Sequence, residues 1–131
     1  MDRKFEKFQG GPTQSPLDRI YISISKANVI AFNNNCYRML GKPPAVYLYF
    51  SRADDTIAIE PVHSHRMPAA FPVKEKQKAG WCIHASPFCK HFDIRVDTTE
   101  RFISPELRDG GLQLKLSETV TVRQQQRKKK E

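Results

Sequence analysis

The stretch "YISISKANVIAFNNNCYRMLGK", Tyr21 to Lys42, decides the fold. Ile20, Ile22 and Ile24 alternate with other side chains, the period of a strand with one buried face. Ala27-Asn28 reads as a turn, because Asn tolerates a positive φ, and "VIAF" resumes as a second strand. Asn33, Asn34 and Asn35 then offer side-chain oxygens to the unpaired amides of a helix start. Cys36, Met39 and Leu40 stand at i, i+3 and i+4, an apolar stripe one or two turns long. Gly41 fits the left-handed position that ends a helix, and Pro43-Pro44 blocks its continuation.

Downstream, "AVYLYFS", the turn "RADD" and "TIAIEP" read as a hairpin, with Val46, Leu48 and Phe50 facing Ile57 and Ile59. The connector 63–80 holds prolines and a basic run and reads as a linker, with room for a short strand. After Gly80 the order begins again. "GWCIHA" is a strand with Trp81 and Ile83 on one face, and Ser86-Pro87 is a helix start with Ser86 as cap. "TERFIS" is a strand, Gly110-Gly111 a turn, and "LQLKLSETVTV" a single further strand. A shift of 52 residues places Cys36 on Phe88, Leu40 on Phe92 and Phe50 on Phe102. Strand, helix and hairpin thus occur twice, which reads as an internal duplication.

A unit of about 40 residues is too small to bury a core alone, and the apolar face of its hairpin must meet another. The expected fold is mainly β with short helices: two copies completing a pseudo-twofold β-barrel in one chain. The expected organisation is an arm over 1–18, a first repeat over 19–62, a basic connector over 63–80, a second repeat over 81–122 and a basic tail over 123–131.

The net charge is +8 over 131 residues. The connector, with Arg66, Lys74, Lys76 and Lys78 against Glu75, and the tail "RQQQRKKKE" hold +7 of it, and the two repeats are close to neutral. Basic segments of this kind contact polyanions through counterion release, and also serve solubility with no partner. No apolar run reaches the roughly 18 residues of a membrane span, so no membrane association is expected. Three cysteines without a signal-peptide pattern point to a reduced, cytoplasmic setting.

The stretch Ile22–Val62 resembles the AbrB/MraZ/SpoVT swapped-hairpin family of bacterial transition-state regulators and antitoxins. Arg38-Met39-Leu40-Gly41 matches the family's Arg-x-Leu-Gly helix end, and "VYLYF" and "IAIEP" match its closing hairpin. The second half matches by pattern only. The family's Gly-Arg turn falls on Asn28-Val29, and its helix-starting proline falls on Asn33, with Pro87 near that place in the second copy. The resemblance implies a bacterial or phage regulator that binds duplex DNA, usually as a dimer with basic side chains from both copies. A fused pair is the monomeric version of that dimer, with homodimerisation of the fused chain left open.

Lys26, Arg38, Lys42 and Arg52 are the phosphate-contact candidates within the repeat; Lys74, Lys76, Lys78, Arg127, Lys128, Lys129 and Lys130 are those of the connector and tail. Each is equally a solvated surface charge. Two further readings stay open: a protein-interaction module on the same barrel, and a single-stranded nucleic-acid binder that stacks bases on Tyr37, Tyr47 and Tyr49. Cys82 and His84 share a strand face, but no Cys-x₂₋₄-Cys or His-x₃₋₅-His pair accompanies them, so no metal or other cofactor is expected. Nothing orients a Cys/His nucleophile pair, and no enzyme activity is expected.

Overall fold

The computed structural model describes residues 20–64, 67–76 and 79–122. The first strands are β1 (Ile22–Ile24) and β2 (Val29–Phe32), followed by the helix α1 (Asn34–Met39) and the hairpin β3 (Ala45–Ser51) and β4 (Thr56–Val62). Two short strands, β5 (Phe71–Pro72) and β6 (Lys74–Glu75), lie within the stretch read as a linker. Then come β7 (Trp81–His84), α2 (Ser86–Phe92), β8 (Glu100–Phe102), β9 (Glu106–Arg108), β10 (Gly111–Lys115) and β11 (Thr119–Thr121).

The strands form two antiparallel sheets, in the orders β11-β8-β1-β2-β7-β6 and β5-β3-β4-β10-β9, not a closed barrel. This corrects the expected barrel. Closure requires a hydrogen-bonded neighbour on both sides of every strand, and β11, β6, β5 and β9 each lack one. The sheets approach each other at Val73, where the chain leaves β5 in one and enters β6 in the other; its N–H donates to the Pro44 carbonyl at 2.9 Å. The expected last strand also divides. A turn at Leu116–Glu118 separates β10 from β11, which lie in different sheets, and the Glu118 N–H donates to Lys115 O.

The hairpin keeps its expected register, Leu48 opposite Ile59 and Phe50 opposite Ile57. β10 joins it with Leu112 opposite Ile59 and Leu114 opposite Ile57. Their inward side chains meet Ile22, Ile24, Ile30, Phe32, Ile83 and Phe102 of the other sheet in one core, completed by Cys36, Leu40, Phe88 and Cys89 from the helices. Both halves therefore contribute to each sheet and to the core. β1 also pairs with β8 and β2 with β7, so one hydrophobic interior serves the whole described chain.

The helices close alike. At α1 the Gly41 N–H donates to Arg38 O and the Lys42 N–H to Tyr37 O. At α2, 52 residues on, the Asp93 N–H donates to Lys90 O and the Ile94 N–H to Cys89 O. This is the Schellman pattern, and it needs a left-handed residue, Gly41 at φ 86° and Asp93 at φ 56°. The starts differ. Asn33 caps α1, its Oδ1 accepting from the Cys36 N–H at 3.0 Å. Ser86, expected as the second cap, lies inside α2; Ala85 stands at the cap position with no side-chain bond, and proline in the first turn does the starting. The strands feeding the helices are also out of phase. Ile30 and Phe32 of β2 point inward, opposite Ile83 and Trp81 of β7, so Cys82, which the 52-residue shift matches to Ile30, points outward.

Candidate nucleic-acid interface

The basic residues singled out in the sequence are scattered over the described surface. Lys26 lies in the β1–β2 turn, which the Asn28 N–H closes onto Ser25 O, with Asn28 at φ 65°. Arg38 is exposed in the last turn of α1, its Nη2 donating to Asn35 Oδ1 at 2.8 Å. Lys42 leaves the same helix at φ 54°. Arg52, in the β3–β4 turn, stands 5.2 Å from the centre of the Phe92 ring at the end of α2. Lys74 is exposed on β6, and Lys76 follows it, its N–H donating to Gly80 O at 2.9 Å. Lys78, Arg127, Lys128, Lys129 and Lys130 lie outside the described residues.

The fold brings two of these to one segment. Lys26 borders a groove of about 400 Å³ with Lys90, Asp93 and Arg95. Arg52 borders the neighbouring one, about 490 Å³, with Asp55, Asp93 and Arg95. Carboxylates temper the positive charge in both. Arg95 Nε lies 2.9 Å from Asp93 Oδ1, and both side chains are largely exposed, so the pair adds little stability. Among the described residues, neither of these two grooves reaches Arg38, Lys42, Lys74 or Lys76.

Lys90 was missed in the sequence and its signal was present, because it lies 52 residues after Arg38. Both are exposed basic side chains whose carbonyls accept the equivalent closing hydrogen bond of their helices. Arg95 carries no such signal. Of the formal +8, the described residues hold only +1, with eleven Lys and Arg against ten Asp and Glu.

Tyr47 and Tyr49 lie on the outer face of the five-stranded sheet, while Val46 and the part-buried Leu48 and Phe50 face the core. Tyr49 donates its hydroxyl hydrogen to Glu60. Tyr37 already has an aromatic partner, with its ring 3.8 Å from that of Trp81 and the planes 18° apart. The Trp81 Nε1–H in turn donates to Asn34 Oδ1 at 2.8 Å. That Asn34 serves the indole, and not a cap, was not legible from its place in an asparagine run.

Cys82 Sγ lies 3.9 Å from His84 Nε2 on the outer face of β7, the shared face that alternation predicted. Cys36 and Cys89 are buried in the core, and burial pushes the Cys36 thiol up to about 12 and raises that of Cys89. Among the described residues no group of three or more His, Cys, Asp or Glu side chains is placed to hold a metal ion. No helix among them is long and apolar enough to cross a membrane. Comparison of the chain with protein-family models, with curated proteins and with solved structures returns no match.

Proposed function

We propose that the chain is a DNA-binding regulatory protein of the AbrB-like kind, a transcriptional regulator or antitoxin built as a duplicated swapped-hairpin unit. The observation that carries this reading is the pair Arg38 and Lys90, exposed cations at equivalent places in two helices that close with the same hydrogen bonds. In this reading each half contributes one helix-end cation to the phosphates of duplex DNA, as two protomers of a dimer do. Such contacts position a protein on the duplex without reading its sequence. Lys26 and Lys42, together with the basic connector and tail, add further phosphate contacts.

The near balance of charge over the described residues favours a second reading, in which the folded body serves a protein partner and only the basic tail meets nucleic acid. The test is duplex binding across salt concentration, using the full chain, an Arg38→Ala/Lys90→Ala variant and a variant with Arg127, Lys128, Lys129 and Lys130 changed to Gln. Each lost phosphate contact lowers the slope of log K against log salt by about 0.9. A fall of about 1.8 in the double variant supports the DNA reading by that arithmetic. An unchanged slope there, with binding abolished in the tail variant, transfers the function to the second reading.

A further inference from the structure

The outer face of the six-stranded sheet carries a groove of about 380 Å³, near the lower end of the roughly 300–1,000 Å³ of ligand sites. Its floor is Ser23 and Ala31, small cross-strand partners that point away from the core. One wall is the turn before β7. Gly80 stands there at φ 91°, and a Cβ on it would lie 2.8 Å from the Phe32 carbonyl oxygen, so only glycine lets this turn seat against β2. The Lys76 N–H donates to Gly80 O, which fixes where the Lys76 side chain starts.

Three features make the groove a prepared polar-aromatic site. Asn34 borders it, and the Trp81 indole N–H fixes the orientation of its amide by bonding Oδ1, which leaves the Nδ2 hydrogens as donors for ring nitrogens. Tyr21 borders it with its hydroxyphenyl ring under the Arg101 guanidinium, 4.8 Å from the ring centre. Most telling is the charge. Among the described residues this groove is lined by Lys76 and by no carboxylate, whereas four other surface grooves each include at least one.

We propose that this groove binds a single unstacked nucleotide: the base against Tyr21 with its edge at the Asn34 amide, the phosphate at Lys76. An aromatic platform, an oriented amide and a cation, with no carboxylate among the described lining residues, match the three parts of that ligand. The ligand is either a free nucleotide or an exposed nucleotide of a single strand. The proposal does not rest on the duplex reading, because neither Arg38 nor Lys90 borders the groove.

Trp81 is the chain's one tryptophan and bonds the Asn34 side chain, so its fluorescence reports on the groove. The experiment is titration of the full chain with adenosine 5′-monophosphate, with adenosine, inorganic phosphate and a short oligodeoxyadenylate in parallel. A saturable change with the monophosphate is expected, with adenosine and phosphate each weaker by about tenfold and Lys76→Glu by about tenfold or more. Lys76 is exposed, so this variant folds, and Asn34→Ala must weaken binding too. If the oligonucleotide competes below the monophosphate's own concentration range, the ligand is a nucleotide of a strand; if it does not compete, the ligand is free nucleotide. Absence of any saturable response up to about 1 mM, or an equal response in Lys76→Glu, overturns the proposal. Neither result bears on the salt slope of the Arg38→Ala/Lys90→Ala variant, so the two readings fail separately.

Discussion

Tyr37 of the first helix lies flat on Trp81 of a strand in the other half of the chain, ring centres 3.8 Å apart. The contact joins segments far apart in sequence, and the indole hydrogen bond to Asn34 ties the same two elements a second time. Trp81→Ala removes both ties. Trp81 is only half-buried, so the expected loss is about 2 kcal/mol, below the 3–5 of a fully buried aromatic. Trp81→Phe keeps the ring contact and gives up the exposed hydrogen bond, at a cost of about 1 kcal/mol. Urea unfolding followed by circular dichroism measures both, and equal losses in the two variants would show that stacking contributes nothing.

Two glycines separate backbone conformation from space. Gly41 has φ 86° with nothing within 4 Å of a built Cβ, so Gly41→Ala should cost only the left-handed penalty, about 1–2 kcal/mol. Gly111 has no such φ, yet a Cβ there would sit 2.4 Å from the Ile59 carbonyl oxygen, backbone that cannot move without breaking the β4–β10 ladder. Gly111→Ala is expected to cost more, about 3 kcal/mol, the upper end of overpacking. Thermal unfolding of both variants checks the order. The opposite order would mean that β10 shifts freely against β4.

The helix starts give a third contrast. Asn33 caps α1 through its side chain, and Asn33→Ala should cost about 1 kcal/mol. Ser86 makes no cap bond at α2, so Ser86→Ala should stay within about 0.5 kcal/mol of the parent. Equal losses in denaturant unfolding would mean that Ser86 acts in a way its geometry does not show.

Local chemistry explains what was legible in the sequence. A turn needing positive φ was readable at Asn28, a helix end at Gly41, and a hairpin register at Leu48 and Ile59, because each depends on residues close in the chain. Whether the strands of the described residues close into a barrel was not, because that depends on which edges meet across the fold. The fates of β10 and β11 turn on a three-residue turn with no glycine or proline to announce it. For the interface, residue type flagged Lys26, Arg38 and Lys76 as cations, but not their neighbours. The carboxylates beside Lys26 and the aromatic groove beside Lys76 arise from packing between segments far apart in the chain. Trp81 packs against the core on the face of Ile83, as expected; that it also stacks on α1 depends on a distant segment and was not legible.

Cys36 links the core to pH. Its thiol is wholly buried between the sheets, and burial alone pushes its pKa from 9.0 up to about 12. An acid whose pKa is raised by folding stabilises the native state while it stays protonated in both states. Above pH 9 the unfolded chain releases this proton and the folded chain does not, so the unfolded state gains. Stability should then fall by about 1.4 kcal/mol per pH unit from this group, starting near its unfolded value and ending as pH passes its folded one. The raised Cys89 thiol adds in the same direction. Cys36→Ala removes one small buried atom and the whole of the first contribution. Urea midpoints of the parent and this variant between pH 8 and about pH 10.5 should therefore converge with rising pH, by about 2 kcal/mol in unfolding free energy at the upper end. Parallel curves would show that Cys36 ionises in the folded protein as readily as in the unfolded one, and that the helix is not sealed against the sheets.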